Sequence, residues 1–227
     1  MHHQGRYGVP CSIPQQPTAA DADLWDAAAR RAAGENDWEA ARALFAEAGT
    51  IAEKLGDIPA LIYAHVHVQQ CIRYGGGDLS ECRRRIHEGT RLAEQIGSEP
   101  HKHLMRFHLA EQLLDEGEYA HALRLFQECL KDFPGEDPWG LAHLLQLMGI
   151  AAAHLGSADV GVQVYTAALA DRLRRAAPHL PAIHRRYEEK LTAASQSLTP
   201  QAYEAAKEAG RALTLDQAKV AAACLRS

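Results

Sequence analysis

Residues 117–134, Gly-Glu-Tyr-Ala-His-Ala-Leu-Arg-Leu-Phe-Gln-Glu-Cys-Leu-Lys-Asp-Phe-Pro, decide the fold. Gly117 breaks a preceding helix, and Tyr119 begins the next one. One face of that helix then carries small, large and small side chains in turn, at Ala122, Phe126 and Cys129. Pro134 is predicted to end the helix, because a proline ring cannot continue it. The stretch therefore reads as the second helix of a helical hairpin.

The same turn and helix recur about every 40 residues, at the turn anchors Trp38, Leu79, Tyr119 and Ala158. Four hairpins are predicted, at 21–57, 59–97, 100–134 and 139–175. One hairpin cannot bury its apolar face alone, and at least three stacked hairpins are needed for a continuous core. The alternative is a generic helical bundle whose alanine-rich helices match the pattern by chance. Four turns in register, with large side chains at equivalent places, argue against it.

The order Gly-x-Tyr-x-x-Ala-x-x-x-Phe-x-x-small resembles the tetratricopeptide repeat, a helix-turn-helix unit that stacks into a solenoid. The resemblance implies an all-α fold, a right-handed superhelical array of about four antiparallel helical hairpins, with capping helices in 179–227. Residues 1–20 are rich in proline and glycine and show no apolar period. They are predicted to be a flexible leader.

A second resemblance lies in residues 198–225. At its centre, Gly210 is predicted to end one helix, and Thr214 to begin the next with Gln217 in a capping box. The segment resembles the end of the tetratricopeptide region in large bacterial signal-transduction ATPases, including LuxR-type regulators and cyclase-linked proteins. That implies a regulatory or sensor module. The chain contains no Gly-x-x-x-x-Gly-Lys-(Ser/Thr) phosphate loop, so it is expected to be the scaffold part alone, as a fragment or as a separate protein.

Composition narrows the class of partner. The chain has 227 residues, 47% hydrophobic but only 6% aromatic, which favours helices packed through small side chains. Its net charge of −5 gives no general attraction to nucleic acid. Five unpaired-looking cysteines and the lack of a signal-like or membrane-spanning apolar stretch favour a reduced, cytoplasmic protein. Cys82 and Cys129 fall at expected core positions.

Thirteen histidines raise the question of a metal site. His67 and Cys71 lie four residues apart and would share one face of a helix, with His108 as a conceivable third ligand. Two ligands in sequence are too few, so groove-lining polar residues are the preferred interpretation and neither metal nor cofactor is expected. Local signatures yield no Ser/His/Asp or Cys/His set, which favours a non-enzymatic protein.

In such an array the first helix of each hairpin lines the concave surface. The predicted groove residues are Arg30, His67, Cys71, Tyr74, Leu104, Phe107, Glu111, His143, Gln146, Ile150 and His154. An apolar centre with polar flanks favours a protein or peptide partner. A receptor for a small amphipathic ligand or signalling peptide is the alternative, an enzyme using the groove is less expected, and packing between repeats competes with both. The sequence leaves the oligomeric state open.

Overall fold

The computed structural model describes residues 7–10, 12–133, 137–176 and 179–225, and the regular structure in these ranges is eleven α-helices. The all-α prediction is therefore confirmed. The helices are α1 Ala19–Gly34, α2 Trp38–Leu55, α3 Ile58–Tyr74, α4 Leu79–Gln95, α5 Glu99–Asp115, α6 Tyr119–Lys131, α7 Pro138–His154, α8 Ala158–Arg174, α9 Pro181–Ala194, α10 Pro200–Ala212 and α11 Leu215–Ala223. Every predicted turn anchor is the first residue of an even-numbered helix, from α2 to α8.

Short polar side chains begin several helices. Thr18 and Asp21 form a capping box at the start of α1, and the predicted box of Thr214 and Gln217 is present at the start of α11. Asp37 accepts a hydrogen bond from the backbone of α2. Each such cap stabilises its helix by about 1 kcal/mol, because it pairs a backbone N–H that the helix itself leaves unpaired. The hairpin boundaries are thus fixed by local chemistry.

Left-handed glycines end the helices before the next turn. Gly56 (φ 69°) and Gly97 (φ 64°) follow α2 and α4, and Gly117 (φ 84°), where a helix break is predicted, follows α5. A residue with a Cβ atom is strained in this conformation. Pro134, the predicted end of α6, lies outside the described residues; α6 itself ends at Lys131.

The chain divides into two compact units, Met1–His108 and Leu109–Ser227, with the boundary inside α5. In unit 1, α1 to α4 pack consecutively around buried Trp25, Phe45 and Ile51. The stretch predicted to be a flexible leader is not wholly detached from this core. Val9 is 5% exposed and belongs to it, and the Tyr7 hydroxyl donates a hydrogen bond of 2.8 Å to the Asp37 carboxylate. Val9 is therefore fixed by apolar packing, and Tyr7 by a hydrogen bond to the residue that caps α2.

In unit 2, α7 packs against both α6 and α8 and is buried along most of its length. The closest approach is between two glycines. A Cβ atom on Gly149 would lie 2.5 Å from the carbonyl oxygen of Gly161, and one on Gly161 equally close to that of Gly149. Any side chain would push α7 and α8 apart. Cys129 of α6 is fully buried, as is Cys82 in unit 1, which confirms their predicted core positions.

The predicted helix end at Gly210 is wrong, because α10 continues through it to Ala212. An added Cβ at Gly210 would lie 2.5 Å from the carbonyl oxygen of Gln163 in α8. This glycine serves close packing and does not terminate the helix. As a result α10 packs on α8, while α9 packs on α7. The helix α11 contacts α6, α7 and α8, and Gln127 donates a hydrogen bond of 2.8 Å to the Leu225 carbonyl.

Replacing Gly161 with alanine should lower the free energy of unfolding by roughly 1–3 kcal/mol, because the new methyl group overlaps α7. Gly34 is the matched control, since a Cβ there meets nothing within 4 Å. Gly34→Ala should leave stability unchanged or raise it by up to about 1 kcal/mol, as alanine is the better helix former. Urea unfolding of the two variants measures the difference. Equal effects would contradict the glycine contact.

The close packing around the small residues of the hairpins leads to a second prediction about stability. Ala41 and Ala122 are fully buried, whereas Ala43 is exposed. Enlarging either buried alanine to leucine should cost about 1–3 kcal/mol of stability, because the neighbouring helix must move. Ala43→Leu should be close to neutral. If urea unfolding shows the three variants alike, the small, large, small register of the hairpins is wrong.

Candidate functional site

The predicted groove residues are divided between the two units. Unit 1 holds Arg30, His67, Cys71, Tyr74, Leu104 and Phe107, and unit 2 holds Glu111, His143, Gln146, Ile150 and His154. The side chains that are buried are those of Cys71, Glu111, Gln146 and Ile150. Arg30 is exposed and the others are intermediate. Each unit therefore has its own candidate residues in surroundings of its own.

In unit 1, His67 is held on several sides. Its ring stacks on Phe45 with centroids 4.6 Å apart, its Nδ1 lies 3.2 Å from the Gln70 amide oxygen, and its Nε2 lies 3.2 Å from the Arg30 guanidinium. Arg30 also pairs with Asp26 at 2.6 Å. The imidazole is thus fixed by an aromatic face and two polar contacts.

The His67 imidazole and the Cys71 thiol are both uncharged at pH 7. Burial, and then the Arg30 guanidinium, lower the pKa of His67 to about 4. Burial raises the pKa of the Cys71 thiol to about 12. A protonated thiol is a poor metal ligand. Within the described residues, no three or more His, Cys, Asp or Glu side chains are grouped so that they could hold a metal ion.

Unit 2 gathers polar side chains from three odd-numbered helices and the segment before α9. We call them the polar cluster: Glu111, His143, Gln146, His179 and Tyr187. His143 Nε2 lies 3.0 Å from the Tyr187 hydroxyl and 3.6 Å from Glu111 Oε1. His179 Nε2 lies 2.8 Å from the Gln146 amide oxygen. Glu111 and Gln146 are fully buried. Glu111 contacts the His143 ring and Gln146 contacts the His179 ring, each from the interior of the unit.

One imidazole of the polar cluster is held in its neutral form. Burial, and then neighbouring His143, lower the pKa of His179 well below its ordinary value, so this ring is neutral at pH 7. The His143 imidazole lies beside the buried Glu111 carboxylate. The cluster therefore contains hydrogen-bond donors and acceptors in fixed positions.

A buried ion triad continues the row of polar groups. Asp115 lies one turn beyond Glu111 on α5, and its side chain is 2% exposed. Arg186 and Lys190 of α9 contact its two oxygens at 3.2 and 3.0 Å. The buried carboxylate must form good hydrogen bonds to its cations to offset the cost of removing its charge from water. The triad joins α9 to α5 and compensates the buried Asp115 carboxylate.

Two predicted groove residues of unit 2 lie elsewhere. Ile150 is 1% exposed and belongs to the core. His154 stacks on Tyr119, with the ring centroids 3.8 Å apart and the planes nearly parallel. Burial lowers the pKa of His154, so this ring acts as an aromatic partner at neutral pH.

Sequence reasoning missed three residues at this site. His179 and Tyr187 were assigned to the capping region, although the rule that odd-numbered helices line one surface extends naturally to α9. Trp139 lies one turn before His143 on α7 and is 56% exposed. Residues four apart share a helix face, so this spacing was visible in the sequence. The arrangement combines an exposed indole with a half-buried imidazole.

Comparison with family models, curated proteins and solved structures gives no match to this chain. No helix in the described part of the chain is both long and apolar enough to cross a membrane. The site is therefore interpreted from its own geometry.

The low pKa of His67 predicts a dependence of stability on pH. Unfolded histidine has a pKa near 6.5, so between pH 6.5 and 4 the unfolded chain binds a proton that the folded chain does not. This contribution to stability is complete above pH 6.5 and is lost as the pH falls. From pH 7 to pH 5 the loss is about 2 kcal/mol.

Replacing His67 with glutamine should reduce the difference in unfolding free energy between pH 7 and pH 5 by that amount. His121 is exposed on α6, and His121→Gln is the matched control that should leave the difference unchanged. Urea unfolding at the two pH values provides the measurement. An unaltered pH dependence in the His67 variant would show that the folded protein does protonate this ring.

Proposed function

We propose that the chain is a non-enzymatic binding module that holds a peptide segment of a partner protein on the α7 face formed by Trp139 and His143. The observation that carries the proposal is an exposed indole beside an imidazole fixed by buried polar groups. Large aromatic side chains dominate the energetics of protein interfaces. Buried polar groups in a helical core are costly, and a recognition role accounts for keeping them.

The polar cluster favours a peptide over a highly charged ligand. The partly exposed imidazoles of His143 and His179 match the N–H and C=O groups of a peptide backbone, and the buried Tyr187 and Gln146 hold these rings in place. The Asp115 carboxylate is paired with Arg186 and Lys190, and the Glu111 carboxylate lies beside His143, so the two carboxylates and the two cations together carry no net charge. A ligand with strong charge of one sign would find little to pair with. A peptide that places an apolar side chain on Trp139 and a backbone group at His143 fits both features.

A regulatory role in a bacterial cytoplasm is the setting we propose. It is supported by the resemblance of residues 117–134 to the tetratricopeptide repeat and of residues 198–225 to the end of the tetratricopeptide region in bacterial signal-transduction ATPases. The same resemblance supports a superhelical solenoid as the architecture of the array. A second candidate, a receptor for a small amphipathic molecule, is favoured by a separate cleft between α8, α9 and α10.

Selection of peptides from a random displayed library on the purified full chain tests the proposal. Affinities of the selected peptides are then measured by fluorescence anisotropy. Trp139→Ala should weaken binding by about tenfold or more, since an exposed aromatic anchor contributes over 1 kcal/mol. His143→Gln should also weaken binding, and both variants should keep nearly the same melting temperature.

Two exposed residues supply matched controls. Tyr63 of α3 is 49% exposed, and His121 of α6 is exposed as well. Tyr63→Ala and His121→Ala should leave the affinity unchanged. A library that yields no binder, or binders equally sensitive to the control changes, would rule out this face as the binding surface.

A further inference from the structure

A cleft of about 260 Å³ opens in unit 2 between α8, α9 and α10. It exists because α9 packs on α7 while α10 packs on α8, which leaves the corner between α8 and α9 open. Gly210 brings α10 close to the Gln163 backbone and so sets the position of the outer wall. A ligand cleft of this size needs apolar walls and a few well-placed polar groups. The cleft has both.

One lining residue presents a buried hydroxyl without a well-formed hydrogen bond. Tyr165 is 1% exposed, and its hydroxyl lies near the Glu188 carboxylate and the Gln146 amide without a well-formed hydrogen bond to either. Burial, and then the nearby Glu188 carboxylate, raise its pKa, so the phenol stays protonated. The Gln146 Nε2 amide likewise makes no well-formed hydrogen bond among the described residues. Leaving a buried polar group unpaired is destabilising, and a ligand that pairs it removes that penalty.

Two cations line the cleft. Lys207 and Arg211 lie four residues apart on α10 and therefore on the same face. Each makes an ion pair with the residue three before it, Glu204 at 3.3 Å and Glu208 at 2.8 Å. Both acids are largely exposed, and surface pairs of this kind are weak, so an anionic ligand can displace them.

The remaining walls combine apolar side chains with one acid and the polar side chains of Thr166, His184 and Tyr203. Leu169 and Leu191 face the cleft from α8 and α9, and Glu188 lies one turn before Leu191 on α9. An anionic group on the ligand would be repelled by Glu188 and attracted by the α10 cations. The cleft thus distinguishes the two ends of an elongated ligand.

We propose that this cleft binds a small amphipathic organic carboxylate that carries a hydroxyl group. The carboxylate pairs with Lys207 and Arg211, and the hydrocarbon body lies against Leu169 and Leu191. The hydroxyl accepts a hydrogen bond from Tyr165 and donates one to Glu188. This site is separate from the Trp139 and His143 face and does not depend on peptide binding there.

Three probe molecules separate the contribution of the ligand hydroxyl from that of the ligand carboxylate. Their binding to the full chain is measured by isothermal titration calorimetry. They are 4-hydroxyphenylacetate, which has both polar groups, phenylacetate, which lacks the hydroxyl, and 4-methylphenol, which lacks the carboxylate. We expect 4-hydroxyphenylacetate to bind about tenfold more tightly than either of the others, the loss expected for one good hydrogen bond or ion pair.

Variants of the protein show which side chain recognises the hydroxyl group of the ligand and which recognises its carboxylate. Tyr165→Phe should reduce the preference for 4-hydroxyphenylacetate over phenylacetate by about fivefold, because the hydrogen bond to Glu188 remains, and it should not lower the melting temperature of the free protein. Arg211→Gln should weaken both acids about fivefold and leave 4-methylphenol unaffected. Tyr119→Phe and Arg124→Gln, in the same unit but outside the cleft, are the matched controls and should change nothing.

Three results would overturn the proposal. One is a failure of both acids to bind at millimolar concentration. Another is a preference for the hydroxylated acid that is the same size in Tyr165→Phe as in the unchanged protein. The third is a fall in the melting temperature of unliganded Tyr165→Phe, which would show that the hydroxyl already has a partner within the protein. Peptide binding at Trp139 is measured independently and is unaffected by any of these results.

Discussion

The close approach of helices through residues with little or no side chain is the constraint on which this structure depends. Gly149 and Gly161 bring the α7 and α8 backbones together, and Gly210 does the same for α10 and α8. Close contact maximises dispersion between backbones and leaves no space for adjustment. It also fixes which arc of each helix faces its neighbours. The polar side chains of α7 reach their partners only because this register is set.

The polar cluster illustrates how packing and chemistry are linked. His143 meets Glu111 and Tyr187 from two other helices, so its orientation depends on the placement of α5 and α9. Polar groups inside a fold raise specificity when every group is satisfied and lower stability when one is not. The unpaired hydroxyl of Tyr165 belongs to the second class. Unit 2 thus contains a polar centre whose imidazoles are paired with neighbouring side chains, and a hydroxyl that lacks a well-formed hydrogen bond.

Most of the fold could be predicted from local signals. Caps such as Thr214 and left-handed glycines such as Gly56 act over a few residues, so the sequence places helix ends well. Gly210 shows the limit. A glycine that ends a helix and a glycine that admits a neighbouring backbone look alike in sequence, and here the deciding atom belongs to Gln163, far away in the chain.

The candidate site was less predictable for the same reason. The helix periodicity identified Glu111, His143 and Gln146 as lying on one side of the odd-numbered helices. It could not show that Ile150 turns into the core, because that depends on the rotation of α7 against α6 and α8. His179 was missed because its contact with Gln146 follows from the packing of α9 on α7.

The contact between Gln127 and Leu225 has a consequence for synthesis on the ribosome. Unit 1 is built from helices that meet their sequence neighbours, so it can assemble as soon as it emerges. In unit 2, α6 is joined by α11, which is translated almost a hundred residues later. Until then the side of α6 that α11 contacts is exposed to solvent and to other nascent chains. The vulnerable stage of biogenesis for this protein is therefore the interval between the completion of α6 and the arrival of α11.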